Sequence, residues 1–213
     1  MFIYKFKELP LIFIFNEKCA CTTIKNVIND IDHLYETEKY FDVHKHKFSN
    51  MEIDDLFMDR ESVVFVFSRN PYSRFLSGYS KIRYKSILKL RIDSSKTQNQ
   101  CNEIVKQGDI NVDEWAEIIN TIEPRNLESH FRPQTLGLEE FLSTNRAIVY
   151  DISKLCELKE YMEENYQILL PCEIHDSYDL KKEEPSEKTK QRIRQYYKND
   201  FELLSYSFDF PDM

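Results

Sequence analysis

Glycine is scarce: the chain holds three in 213 residues, and none stands between Asn16 and Ile24. A loop of the form G-x-x-x-x-G-K-[ST] curls around phosphates because its glycines let the backbone do so. An ordinary ATPase loop of that kind is therefore excluded. Long apolar runs are also missing, since none approaches the roughly 20 residues a membrane-crossing helix needs. The start does not show the tripartite form of a secretory signal, because the run over residues 9–15 is broken by Pro10 and closes on Asn16-Glu17-Lys18. A soluble, cytoplasmic protein is the expectation. The five cysteines are odd in number and form no C-x-x-C pair, which suits a reducing compartment better than a disulfide framework. Cys19-Ala20-Cys21 has no second pair at metal-ligand spacing, so no metal is expected. A net charge of −8 leaves no general affinity for nucleic acid, which depends on many cations neutralising phosphates. Basic residues must then act locally. With no internal repeat and no low-complexity linker, a single domain over residues 1–213 is expected.

What is present alternates short apolar runs with helix-period segments, the pattern of an α/β layered fold. Residues 11–15, rich in Ile and Phe, are too short for a helix and predict a strand. The helix after it shows Ile24, Val27, Ile28, Ile31 and Leu34 on one face, with Thr22 or Thr23 near its N-cap. Residues 62–67 are apolar on both faces, as in a central parallel strand. Phe75, Leu76, Tyr79 and Ile82 mark the stripe of the next helix. A polar, lid-like segment near 86–112 follows, to be read either as a functional lid or as a surface insertion. Beyond it come a helix with Trp115, Ile118 and Ile119, a strand over 147–150, and a helix through Leu155, Leu158 and Met162 capped by Ser153. A final helix over 187–206 buries Ile193, Tyr197, Phe201 and Leu204.

Two strand-to-helix turns carry the chemistry. At such a turn, free backbone N–H groups and the positive end of the helix dipole face whatever anion sits there. The first turn, Glu17-Lys18-Cys19-Ala20-Cys21-Thr22-Thr23, adds a lysine and two hydroxyls. Taken alone it also reads as a surface lysine beside a threonine-capped helix. The second, Ser68-Arg69-Asn70-Pro71-Tyr72-Ser73-Arg74, puts Arg69 at a strand end, where open parallel sheets bind ligands. Proline suits the first turn of the helix that follows, and Ser77 stands eight residues after Arg69, about two helical turns further on. Ser77 by itself reads first as a solvated or backbone-bonded serine. Two separate anion sites point to a ligand with two separated anionic groups.

Lys18-Cys19-Ala20-Cys21-Thr22-Thr23 resembles the 5′-phosphosulfate loop of sulfotransferases, and residues 67–79, from Phe67-Ser68-Arg69 to Ser77-Gly78-Tyr79, resemble their 3′-phosphate segment. The match is closest to the carbohydrate group that includes the heparan and uronyl 2-O-sulfotransferases and related bacterial enzymes. His130-Phe131-Arg132-Pro133-Gln134 resembles a segment of related carbohydrate sulfotransferases, usually with tryptophan at Phe131, and residues 197–206 resemble the family's closing helix. Asn70 stands where aspartate is frequent, and from the short N-terminus the membrane anchor of the Golgi members is not expected. The resemblance implies a three-layer fold, a parallel sheet flanked by helices and related to the P-loop NTPases. It implies 3′-phosphoadenosine 5′-phosphosulfate as sulfuryl donor, with no metal. Arg69 and Ser77 would hold the 3′-phosphate; Lys18, Cys19, Ala20, Cys21, Thr22 and Thr23 would hold the 5′-phosphosulfate. Lys18 would also neutralise charge building on the leaving oxygen.

The acceptor, a hydroxyl-bearing molecule and in this resemblance a glycan, needs a base. His44-Lys45-His46 matches an H-x-H element of the 2-O-sulfotransferases whose second histidine is the base. His46 is the expected base and His44 an orienting group, with His130 or a carboxylate as competitors. His130 and Arg132 are candidate acceptor contacts; Lys45, Lys47, Arg83 and Lys85 are further cations that a solvated charged face explains equally. Tyr84 and Phe131 are candidate stacking surfaces, whereas Trp115 is read as core. The alternatives are a non-catalytic nucleotide-binding protein of the same fold, or a sulfotransferase for a small metabolite or a tyrosyl peptide. Oligomeric state is not legible.

Overall fold

The structure, a computed structural model, describes residues 1–34, 48–84, 110–169 and 184–211, without the side chains of 81–84. In chain order the regular elements are β1 (Phe2–Lys5), β2 (Leu11–Phe15), α1 (Cys21–Asp32), α2 (Ile53–Met58), β3 (Val63–Ser68), α3 (Pro71–Tyr84), α4 (Val112–Asn120), α5 (Glu139–Ser143), β4 (Ala147–Asp151), α6 (Leu155–Tyr166), α7 (Glu187–Tyr196) and α8 (Lys198–Leu203). Short 3-10 turns occupy Pro124–Asn126 and Ile152–Lys154. Contacts gather them into two compact units, Met1–Arg69 with Gly137–Asp176, and Asn70–Leu136 with Ser177–Met213.

The first unit is built on a four-stranded sheet in the order β1-β2-β3-β4. β2, β3 and β4 run parallel, and β1 is antiparallel to β2. The all-parallel sheet expected from sequence is thus corrected to a mixed one. Only five residues, 6–10, separate β1 from β2, enough for a hairpin and far short of the dozen or so a parallel crossover needs. β1 escaped the sequence reading because its four residues mix Lys with aromatics. Its outer edge is closed by side chains: Ser49 Oγ bonds the backbone of Ile3, and the Asn50 amide spans Lys5 N and O at 2.9 Å each. All five residues of β2 are buried, as a strand covered on both faces requires. Packed around it are Phe65 and Phe67 of β3, Ile24, Val27 and Ile28 of α1, and Leu155, Leu158 and Met162 of α6.

The second unit has its own core. Trp115 and Ile119 of α4, Tyr72, Phe75, Leu76 and Tyr79 of α3, and Phe131, Ile193, Tyr197 and Phe201 enclose one another; Ile82 of the expected stripe lies outside the described side chains. Asn70 caps α3, its Oδ1 accepting from the amides of Tyr72 (3.0 Å) and Ser73 (3.3 Å), so it meets the capping need an aspartate would. Asp200 on α8 is fully buried and accepts from Gln134 N, Thr135 N and Thr135 Oγ1 at 2.8–2.9 Å. Burial pushes its carboxyl above the usual range, against the pull of those bonds and of Arg74. Arg74, also buried, donates to the carbonyls of Arg132 (2.8 Å) and Ser129 (3.1 Å). The 129–135 segment is therefore held by a buried guanidinium and a buried carboxyl.

Three local expectations change. The cap of α1 is Ala20 in the left-handed region, with no side-chain bond, so Thr22 and Thr23 lie inside the first turn. Ser153 belongs to a 3-10 turn capped by Asp151, and α6 begins after Lys154. The expected final helix breaks at Tyr197, whose φ of −102° and ψ of 25° separate α7 from α8; the buried positions are those expected. Most of the lid-like segment near 86–112 lies outside the described residues; Val112 opens α4 and is buried.

Candidate active site in the first unit

β2 and β3 are neighbours, with Phe15 opposite Phe67. Their carboxyl ends therefore deliver both sequence turns to one edge of the sheet, the edge at which open α/β sheets bind ligands. From β2 the chain passes through Asn16 and Glu17 into Lys18 and Ala20, both at positive φ (67° and 52°). Two non-glycine residues in the left-handed region within three positions are uncommon, and such strain concentrates at functional turns. Alternation of this kind turns successive N–H groups toward one concave side, an arrangement that binds anions. The first helical bond of α1 is Ile24 N to Ala20 O at 3.0 Å; the amides of Cys21, Thr22 and Thr23 precede it and have no carbonyl of their own helix to reach.

Arg69 follows β3 and donates from Nη1 to the carbonyl of Lys18 at 3.4 Å. This long bond joins the two turns and places a guanidinium beside the loop. Ser68 is buried, its Oγ donating to Tyr150 O at 3.3 Å, which ties the end of β3 to β4. Cys19 is fully buried and Cys21 nearly so. Burial and the adjacent Glu17 carboxylate push the Cys21 thiol up; its Sγ–H donates to Glu17 Oε2 at 3.4 Å. A protonated thiol is a poor nucleophile at neutral pH, so Cys21 shapes the loop and does not attack. Among the described residues no cluster of His, Cys, Asp and Glu is arranged to hold a metal ion.

The other expected residues are placed as follows. Ser77 stands on α3 in the second unit and is half-buried. His130 is there too, its ring Nδ1 against Glu128 Oε1 and its amide donating to Glu128 Oε2 at 2.9 Å. Burial raises the Glu128 carboxyl, but the bonds from His130 outweigh it and hold the group below the usual range. Arg132 spends its Nε and Nη2 on the carbonyl of Leu127, at 3.1 and 2.8 Å. Phe131 is fully buried; as a stacking surface for a sugar ring it is corrected to a core residue, and Trp115 is core as expected. His44 and His46 lie outside the described residues, as do Lys45, Lys47, Lys85 and the side chains of Arg83 and Tyr84. Sequence reasoning missed Glu128, although an acid two positions before His130 was the available signal. It also missed Lys25, which stands on the apolar face of α1.

A glycine-free loop with a cation, two threonines and a neighbouring guanidinium is the setting in which the comparison with family models decides. The sulfotransferase family model matches residues 4–207. The chain belongs to the sulfotransferase family. No curated protein and no solved structure matches it. Sulfuryl transfer is the chemistry of that family, and the match takes in both strand-to-helix turns and both units. As a sulfotransferase the chain shows, among its described residues, no helix long and apolar enough to cross a membrane.

Proposed function

We propose that this sulfotransferase moves a sulfuryl group from 3′-phosphoadenosine 5′-phosphosulfate to a hydroxyl, with a carbohydrate as the acceptor. The observation that carries the reading is the meeting of the two turns: Lys18 and the positive-φ loop at the end of β2, with Arg69 from the end of β3 bonded to it. In this reading the strand–loop–helix is a P-loop-like cradle in which backbone strain at Lys18 and Ala20 replaces glycine. The amides of Cys21, Thr22 and Thr23 and the hydroxyls of both threonines face the 5′-phosphosulfate, with Cys19 and Ala20 setting the curve. Arg69 takes the 3′-phosphate, and Ser77 is the second group that the resemblance assigns to it.

The acceptor oxygen attacks sulfur in line as the bond from sulfur to the bridging phosphate oxygen breaks. The acceptor proton passes to a base, and 3′-phosphoadenosine 5′-phosphate departs with the added negative charge. Lys18 neutralises that charge. His46 is the proposed base, with His44 orienting the acceptor and His130 and Arg132 proposed as acceptor contacts. Glu128 holds the His130 Nδ1 side, which would favour one tautomer.

Transfer of label from the donor to a panel of glycans, small alcohols, phenols and peptides tests the proposal. Label on a glycan hydroxyl is the expected result; label on a phenol or peptide alone would remove the carbohydrate assignment. 3′-Phosphoadenosine 5′-phosphate should raise the melting temperature far more than adenosine 5′-phosphate, by mass action on the native state. Arg69→Ala should abolish most of that difference, and Arg69→Lys should restore it incompletely. Equal shifts with both nucleotides would dismiss a dedicated 3′-phosphate site.

A further inference from the structure

Lys25 is 4% exposed, on the second turn of α1. Its ammonium lies 4.2 Å from the ring centroid of Phe2 and 5.6 Å from that of Phe48. No carboxylate pairs with it among the described residues. Phe2 in turn stacks on Phe15 at 5.0 Å, and Phe15 is the last residue of β2, immediately before the Asn16–Ala20 loop. The buried charge therefore sits at the same end of β2 as the loop. Its field reaches the head of the helix, where it opposes the upward push on the Cys21 thiol.

Burying an ammonium is costly unless an anion answers it. Aromatic faces return only part of that cost through the ring quadrupole. A side chain of this length could reach water from most helix positions by extending its stem, yet here it is enclosed. Among the described residues the charge is met by ring faces and by no paired carboxylate. A dianion arriving at the loop would answer it.

We propose that Lys25 is a positioning residue of the donor site, a buried cation that strengthens the hold of the Lys18–Thr23 loop on the dianionic 5′ end of the nucleotide. It acts through space, behind the loop, and takes no part in the transfer of the sulfuryl group. The inference rests on the donor reading above and adds to it a charge that the loop motif does not contain. Because the stabilising partner is the ligand, removing the charge should have opposite effects on the empty and the loaded protein.

The test uses the full chain with 3′-phosphoadenosine 5′-phosphate as probe, read by calorimetry and thermal melting at several salt concentrations. Lys25→Met keeps the stem and removes the charge. It should leave the ligand-free melting temperature unchanged or raised and weaken the probe about tenfold, within the usual range of a coupling between two sites, with little change in the salt dependence of binding, because a buried charge is screened far less than an exposed one. Turnover at saturating donor should stay near wild type while KM for the donor rises. Lys25→Arg should retain most of the affinity. Wild-type affinity in Lys25→Met overturns the inference, and so does a ligand-free Lys25→Met or Lys25→Gln protein that is markedly less stable or does not fold, since either makes Lys25 a structural residue. Absence of probe binding to the wild-type protein would overturn the donor reading itself, and this inference with it.

Discussion

Gly78→Ala separates the packing argument from helix propensity, because the two predict opposite signs. On α3 a Cβ at position 78 would stand 2.8 Å from Phe131 Cε1, 2.9 Å from Cζ and 3.4 Å from His130 O. Ordinary carbon contacts begin at about 3.5 Å, so the ring must move. It has little room: Phe131 is fully buried, its ring meets Trp115 at 5.3 Å and Phe75 at 5.8 Å, and its carbonyl accepts from Tyr197 Oη at 2.6 Å. Overpacking of this kind costs about 1–3 kcal/mol. Replacing a helical glycine by alanine returns about 1 kcal/mol. The balance is a loss of about 1 kcal/mol, or a fall in melting temperature of about 2–4 °C for a chain of this size. At an unobstructed helical glycine the same change would raise it by a similar amount. Melting followed by circular dichroism, with urea unfolding as a second measure, reads the sign directly. Phe131→Leu should remove the obstruction, so that Gly78→Ala in that background becomes neutral or stabilising. A higher melting temperature for Gly78→Ala alone would refute the reasoning.

Lys18→Ala should lower kcat by about a hundredfold or more, comparable to the loss of one strong electrostatic donor; unchanged kcat with weakened donor binding in steady-state kinetics would make Lys18 a ground-state ligand only. His46→Ala should leave nucleotide binding intact and lower transfer by about a hundredfold to ten-thousandfold, with kcat/KM of the wild type falling on the acid side of the histidine pKa; if His130→Ala is the variant that abolishes transfer, the base assignment moves there. Asp59 gives a pH-dependent prediction for the first unit. Burial alone would raise its carboxyl, but Lys5 Nζ at 2.6 Å and the Ser62 and Glu61 donors hold it well below the usual range. A carboxyl with a lowered folded pKa contributes stability that is present above its unfolded pKa, about 3.9, and is lost as pH falls through the folded value. Asp59→Asn should therefore be less stable by about 1 kcal/mol at neutral pH, allowing for screening at the half-exposed Lys5. In urea titrations that gap should hold from pH 5 to 8, begin to narrow below about pH 4, and close only as pH falls through the folded value; a gap that widens in acid contradicts the sign.

Local chemistry made the two turns legible from sequence. A five-residue apolar run followed by Lys18 and threonines, and a six-residue run followed by Asn70-Pro71, each announce a strand ending and a helix beginning, because chain length and capping preferences act over a few residues. The apolar faces of α1 and α7 were readable for the same reason. Mixed strands were not: β1 has no period of its own and exists because Phe2 to Lys5 pair with β2. Nor was the left-handed backbone at Lys18 and Ala20, which neither residue type prefers. The bond from Arg69 to the Lys18 carbonyl spans 51 positions and follows only from the pairing of β2 with β3. Lys25 could be seen on an apolar helix face, yet whether it reached water depended on Phe2 and Phe48, which come to it from other parts of the chain. Sequence by itself determined the elements at the site and the chemical groups they carry. Tertiary structure decided which groups meet and which charges are buried, because those outcomes depend on contacts between residues far apart in the chain, which no local preference encodes.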